Sequence, residues 1–181
     1  MKSSKTKWFF VLTVLVALCS CNAKNPDDTS GAADGASAAQ VSIATVSPKA
    51  LDGAATFQDL QGKPLDIAGF AGKKVFLNYW ATWCAPCIRE IPAIARAAAI
   101  LEDEGFVFLL ASDEPVEEIR AFVEEQGFTG NFIKLNQYFS SHGVQAVPSS
   151  VLYDAQGQPI RSWLGAYEWD SPEILAQLRA P

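Results

Sequence analysis

The sequence predicts an α/β domain in which helices cross between the strands of one sheet. Three observations carry that expectation. Between residues 51 and 181, short apolar runs alternate with segments of helical periodicity, and turn residues separate them. At 181 residues and 49% apolar composition, the chain is long enough for one domain with a sizeable core and too short for two ordinary ones. Upstream, residues 22–50 carry no aromatic side chain and no sustained periodicity, which sets the N-terminal border of the domain near residue 50.

Residues 1–20 read as an export signal. Lys2, Lys5 and Lys7 precede an apolar run from Trp8 to Leu18, broken only by Thr13. Those eleven residues span about 16 Å as a helix, roughly half a bilayer core, so cleavage is expected rather than a transmembrane span. The following Leu18-Cys19-Ser20-Cys21 resembles the bacterial lipobox, in which Cys21 receives diacylglycerol; Cys19 fits less well because bulky Leu18 precedes it. A plain secretory signal with a stray cysteine is the alternative. Asn22 stands where an Asp would signal inner-membrane retention in enteric-type bacteria, so the resemblance favours the outer membrane over the inner. Residues 21–50, rich in Ala, Gly, Ser, Asp and Thr, read as a flexible tether with a root-mean-square reach of roughly 30 Å. A first strand at Val41–Val46 is the alternative for that sub-stretch.

Within residues 51–181, Thr56–Leu60 and Leu65–Ile67 flank a turn at Gln61-Gly62-Lys63-Pro64 and predict a short β-hairpin. Lys74–Tyr79 predicts a buried strand. Cys84–Glu104 predicts a helix with Ile91, Ile94 and Ala98 on one face, and Phe106–Leu110 a second buried strand. A further helix is expected to begin near Glu114-Pro115, with the proline in its first turn, and to end at Gly127 after Val116, Ile119, Phe122 and Val123. Asn131–Leu135 reads as a strand. Ser149–Tyr153 and Pro159–Leu164 read as a hairpin around Asp154–Gly157, and Ser171-Pro172-Glu173 opens a closing helix with a cap and a proline at its first position.

Charge and composition exclude several function classes. Lys and Arg total 14 against 20 Asp and Glu, and no basic stripe is present, so nucleic acid is not an expected partner. Losing the three leader lysines leaves 11 basic residues against 20 acidic, a net charge of −9, so membrane attachment would come from acyl chains rather than headgroup attraction. One histidine, His142, cannot build a His-rich metal centre and disfavours most hydrolase chemistry; it is read as a surface loop residue.

The chemistry concentrates in Trp83-Cys84-Ala85-Pro86-Cys87, where a strand ends and a helix begins. Unpaired N–H groups and the dipole at a helix N-terminus favour thiolate over thiol, which makes Cys84 the candidate nucleophile. Cys87 lies one turn on, close enough to pair with Cys84 while facing further inward, and is the candidate resolving thiol. Two electrons can then pass by attack of Cys84 on a disulfide and displacement by Cys87. A bare CxxC has two other readings. Half a zinc site would lack ligands, since the domain adds only His142, and a structural disulfide would close too short a loop to constrain the chain.

The segment Asn78-Tyr79-Trp80-Ala81-Thr82-Trp83-Cys84-Ala85-Pro86-Cys87-Ile88-Arg89-Glu90-Ile91-Pro92 resembles the active-site stretch of the thioredoxin superfamily, and its Cys-x-x-Glu-x-Pro ending resembles the TlpA/ResA-like extracytoplasmic subgroup. Gly143–Pro148 followed by Ser149–Asp154 is similar to the family's loop and cis-proline strand. The resemblance implies a thioredoxin fold, a mixed central β-sheet flanked by helices, with an N-terminal β-hairpin and a central insertion over Phe106–Leu135. It implies that Pro148 is cis and offers backbone groups beside Cys84 to an extended substrate; a trans proline at a strand start is the alternative. Trp83 and Val147 become substrate-contacting candidates, Trp80 a core residue, and Trp163 and Trp169 packing residues.

This chain departs from the family in places. Asn78 stands where cytoplasmic thioredoxins have a buried Asp that deprotonates the second cysteine, and the resemblance puts a functional Glu at position 90, with a solvated helix carboxylate as the other reading. Ser149-Ser150 replaces the more usual Thr-Thr, a change expected to matter little.

The implied function is that of a membrane-anchored, periplasm-facing thiol-disulfide oxidoreductase with no cofactor beyond its own cysteine pair and no metal. Pro86 supplies no charge to stabilise the reduced form, which favours a reductase. Implied partners are the disulfides of exported proteins, of cytochrome c or copper-site maturation type, and a membrane thiol-disulfide electron donor. Two alternatives come from other classes. A thiol peroxidase of the AhpC/TSA type would want a Pro-x-x-x-Thr/Ser-x-x-Cys frame, which the residues before Cys84 do not supply, and a Sco-type copper(I) chaperone would space its cysteines one residue wider.

Overall fold

The computed structural model describes residues 56–181. The leader, the lipidation candidate Cys21 and the tether fall outside the described residues, as does the alternative strand at Val41–Val46. Among the described residues, no helix is long and apolar enough to cross a membrane.

Among the described residues, seven strands form one sheet: β1 (Phe57–Asp59), β2 (Pro64–Leu65), β3 (Lys74–Tyr79), β4 (Phe106–Ser112), β5 (Phe132–Leu135), β6 (Ser149–Tyr153) and β7 (Pro159–Leu164). Three α-helices accompany them, α1 (Ala85–Leu101), α2 (Val116–Gln126) and α3 (Pro172–Arg179). The strand order is β2-β1-β5-β4-β3-β6-β7. The β3–β4 and β4–β5 pairs are parallel and the remaining pairs antiparallel, so the sheet is mixed. Each parallel pair is joined by a crossover helix, α1 or α2, as parallel neighbours require.

Alternation along β3 sorts the core. Phe76 and Trp80 pack with Ile91, Ile94, Ala97 and Leu101 of α1, Ile119 of α2 and Leu178 of α3, whereas Val75, Leu77 and Tyr79 pack on the opposite face with Leu109, Ile133 and Val151. All three helices therefore cover one face. Asn78 belongs by register to the helical face, opposite Leu110 on β4 and Ser150 on β6, a polar position in an apolar row.

Several borders differ from the sequence reading. Ile67 does not extend the hairpin: Asp66 accepts from the Ala68 amide at 3.1 Å and turns the chain into a 3₁₀ turn at Ile67–Phe70. Helix α1 stops at Leu101, and residues Glu102–Glu104 tighten into 3₁₀ geometry before Gly105, whose φ of 78° suits glycine. β4 runs two residues further than expected, to Ser112. Pro115 is the N-cap of α2 rather than a residue of its first turn, and Glu114, which a following proline keeps out of helical geometry, bonds to the active-site loop. His142 is half-buried rather than a plain surface residue, with its ring 6.0 Å from Phe57 and 6.5 Å from Tyr79. Its Nε2 is buried without a hydrogen-bond partner, and this desolvation lowers its pKa.

Candidate active site: a cysteine pair above a buried carboxylate

The chain leaves β3 at the carboxyl end of the parallel strands, where open α/β sheets place their sites. Trp80 stays tied to β4, its amide donating to the Ala111 carbonyl at 3.0 Å. Two residues on, the Thr82 amide and hydroxyl both donate to the Glu114 carboxylate, at 2.8 and 2.6 Å, and Ser112 Oγ donates to the same group at 2.8 Å. Glu114 thus clamps the end of β4 to the loop that delivers Cys84.

Cys84 is the N-cap of α1, with Ala85-Pro86 opening the helix, and its Sγ accepts from the Cys87 amide at 3.3 Å. The two sulfurs form a disulfide, S–S 2.02 Å with Cα atoms 5.3 Å apart. Cys84 keeps 4% of its surface exposed and Cys87 none, so access to the pair runs through Cys84 and is narrower than its loop position suggests. The helix N-terminus, with the Cys87 amide aimed at Cys84 Sγ, stabilises a thiolate there once the bond is reduced.

Glu90 lies one turn beyond Cys87 on the same helix and is 3% exposed, so it is not a solvated helix carboxylate. Among the described residues, its hydrogen bonds come from neutral donors. Asn78 Nδ2 reaches Oε1 at 2.9 Å, while the Trp169 indole Nε1 and the Tyr167 amide reach Oε2 at 2.7 and 3.1 Å. Burial raises the Glu90 pKa, and the donors at Trp169, Asn78 and Tyr167 pull it part of the way back. Asn78 Nδ2 also donates to Ser150 Oγ at 3.0 Å, which gives Ser150 a place in this network that the serine-for-threonine exchange did not suggest.

Pro148 follows a cis peptide bond. The Val147 carbonyl oxygen lies 3.6 Å from Cys84 Sγ, and the Pro148 carbonyl accepts from the Gly165 amide at 2.9 Å. Trp83, 70% exposed, joins Phe139, Val144 and Val147 around a shallow apolar cleft of about 90 Å³ beside the sulfur. The structure therefore gathers Cys84, Cys87, Glu90, Trp83, Val147 and Pro148 at one end of the sheet. Cys21 lies outside the described residues.

Two contributors escaped the sequence reading. Glu114 stands just past the end of a parallel strand, a position that could have flagged it. Trp169 reads as a packing residue, which it also is, and nothing local marks its indole N–H as a carboxylate donor. Among the described residues, no group of three or more His, Cys, Asp or Glu side chains is placed to hold a metal ion.

A model of the AhpC/TSA family matches residues 46–172, well over half the chain. The chain belongs to the AhpC/TSA family. Every site residue named above except Cys21 lies inside the AhpC/TSA match. Among curated relatives, the thiol-disulfide oxidoreductase ResA of Bacillus thuringiensis is 32% identical over 110 residues, 59% of this chain and 64% of that protein. The chain thus spans just under two thirds of that relative's length. A ResA of Bacillus cereus is 30% identical over 126 residues, 68% of this chain and 73% of its own. The crystal structure of a thioredoxin-family thiol:disulfide interchange protein from Chlorobium tepidum superposes with a TM-score of 0.55 at 24% identity, covering 66% of this chain and 89% of the other. The expected thioredoxin fold is therefore present in this AhpC/TSA member.

Proposed function

We propose that this protein is a thiol-disulfide oxidoreductase that reduces disulfides of exported proteins, working at a membrane surface through a lipid on Cys21. The observation that carries the reading is the Cys84–Cys87 disulfide at the start of α1 with a buried carboxylate one turn below it. The names of the ResA relatives support the same chemistry.

In the reduced protein, Cys84 thiolate attacks one sulfur of a substrate disulfide. That bond breaks, the distal sulfur leaves as a thiolate that takes a proton from solvent, and a mixed disulfide joins Cys84 to the substrate. The substrate segment lies against Trp83 and pairs with backbone at Val147. Cys87 then gives its proton to Glu90 and attacks Cys84 Sγ. The Cys84–Cys87 bond forms, the substrate's second thiolate departs, and two electrons have passed from the protein to the substrate. A membrane dithiol donor restores the pair. Pro86 between the cysteines brings no charge to stabilise the dithiol, which favours the reducing direction. Substrates of cytochrome c or copper-site maturation type fit the subgroup this chain resembles.

Cys87→Ala removes the resolving thiol, so substrates expressed alongside it should remain disulfide-bonded to Cys84 and be recovered under non-reducing conditions. Recovery of no mixed disulfide, or equal trapping by Cys84→Ala, refutes the reading. Glu90→Gln should leave the first attack intact and slow resolution by about 10²-fold or more. The anchor is tested apart, by mass spectrometry of the mature protein: a diacylglyceryl Cys21 N-terminus is expected, and an unmodified soluble chain overturns it. Peroxide consumption by the purified protein would favour the peroxidase alternative, against which the fully buried Leu77 stands, seven residues before Cys84, where that family's frame has its proline. Stoichiometric copper(I) binding would favour the chaperone.

A further inference from the structure

The segment between β7 and α3, Gly165–Trp169, touches both halves of the site. Its Gly165 amide is bonded to the Pro148 carbonyl, and its Tyr167 amide and Trp169 indole are bonded to Glu90 Oε2. Trp169 is fully buried, its ring edge-on to Phe76 at 4.6 Å and to Trp163 at 5.4 Å, so the indole N–H has one fixed direction, and that direction is the carboxylate. A buried indole needs an acceptor and a buried carboxylate needs donors; here each answers the other.

We propose that Trp169, with the Tyr167 amide, positions Glu90 to accept the Cys87 proton. The proposal rests on the disulfide-exchange reading of the pair. Trp169 touches neither sulfur nor substrate and acts only through Glu90, so it is a positioning residue. An ionised carboxylate can only accept, and the contacts to Glu90 are three donors from two elements: Asn78 on β3, Trp169 and Tyr167 on the β7–α3 connection. That arrangement serves the proton-free form, the state in which Glu90 works as a base. Asn78 Oδ1, the one amide atom able to accept from a protonated Glu90 after rotation of the amide, is buried and unpartnered as placed.

The charged and titratable groups around the carboxylate are few. On its own helix stand Cys87, the exposed Arg89, and Arg96, which pairs with Asp170 at 2.5 Å. The β7–α3 connection adds Asp170 and the exposed Glu168. β3 and β6 present the neutral Asn78 and Ser150, and α3 presents Ile174, Leu175 and Leu178 as its buried side. None of these charges is among the causes of the Glu90 shift, leaving the donors as the groups that counter burial.

The test follows the lifetime of the mixed disulfide between Cys84 and glutathione, formed by mixing the reduced full chain with oxidised glutathione, acid-quenched and read by mass spectrometry across pH. In the wild type, resolution should accelerate with pH along one ionisation. Trp169→Phe keeps an aromatic ring and deletes the donor, so that midpoint should move up by about one pH unit, with resolution about tenfold slower below it. A folded Trp169→Phe with an unmoved midpoint overturns the proposal, even if its stability has dropped. Where Glu90→Gln slows resolution and Trp169→Phe leaves the midpoint in place, the base reading stands and the positioning role falls. Where Glu90→Gln resolves at the wild-type rate, both fall. Should Trp169→Phe fail to fold, the oxidised wild type decides: the Trp169 indole N–H proton resonance should titrate with pH and lie flat in Glu90→Gln. A flat wild-type resonance also overturns the proposal.

Discussion

Glu90 places a carboxyl group where α1 packs on the sheet, with hydrogen-bond donors and, among the described residues, no cation to hold it. Because burial raises its pKa in the folded chain, the folded state keeps a proton that the unfolded chain gives up in the ordinary carboxylate range. The stabilising contribution is complete below the unfolded value and drains away as pH rises through the folded one. Glu90→Gln should therefore flatten the decline in stability over that window, read as urea midpoints of the oxidised protein across pH. Parallel curves for variant and wild type would contradict this. Alkylation separates the two sulfurs in the same spirit: in the reduced protein Cys84, at the helix cap, should label first near neutral pH, since Cys87 has no exposed surface. Faster labelling of Cys87 would reverse the assignment of nucleophile and resolving thiol.

Among the elements, the loop from Trp80 to Cys84 is held by β4 rather than by its own strand. Removing the Glu114 carboxylate frees both Thr82 donors, and a hydrogen bond to a charged group is worth about 1.5–3 kcal/mol, discounted here because Glu114 is half-exposed. Glu114→Ala should lower stability by about 2 kcal/mol and speed amide exchange at Thr82 and its neighbours, leaving β7 unchanged; uniform exchange across the sheet would assign Glu114 a global role. This clamp also shows where sequence reading stops. The buried strands Lys74–Tyr79 and Ser149–Tyr153, and the cap and proline that open α3, were legible because local apolar runs and capping residues determine them. The start of α2 was legible to within a residue, Pro115 standing at the cap rather than inside the first turn, but the contact of Glu114 with Thr82, 32 residues away in sequence, was not. The cysteine pair was legible for the same local reasons as the strands. Trp169 was not, since its indole meets Glu90 across 79 residues and only the closed sheet brings them together.

Across the whole molecule, the helical face of the sheet is a continuous packed layer from Phe108 through Phe76 to Trp163 and Trp169. Phe76 is fully buried at its centre, so Phe76→Ala should cost about 3–5 kcal/mol in denaturant unfolding, and a loss below about 1 kcal/mol would mean that the layer collapses to fill the space. That layer also seals Cys87 from outside, and the seal dictates a kinetic order. In the proposed exchange, oxidising and reducing partners must each react at Cys84, the sulfur of the pair that reaches the surface, so neither can be seated while the other is there. The reaction is then a two-stroke exchange, and double-reciprocal plots of rate against one partner, at several fixed levels of the other, should be parallel, with each partner inhibiting competitively at excess. Intersecting lines would require a ternary complex, and with it a second doorway to the buried thiol.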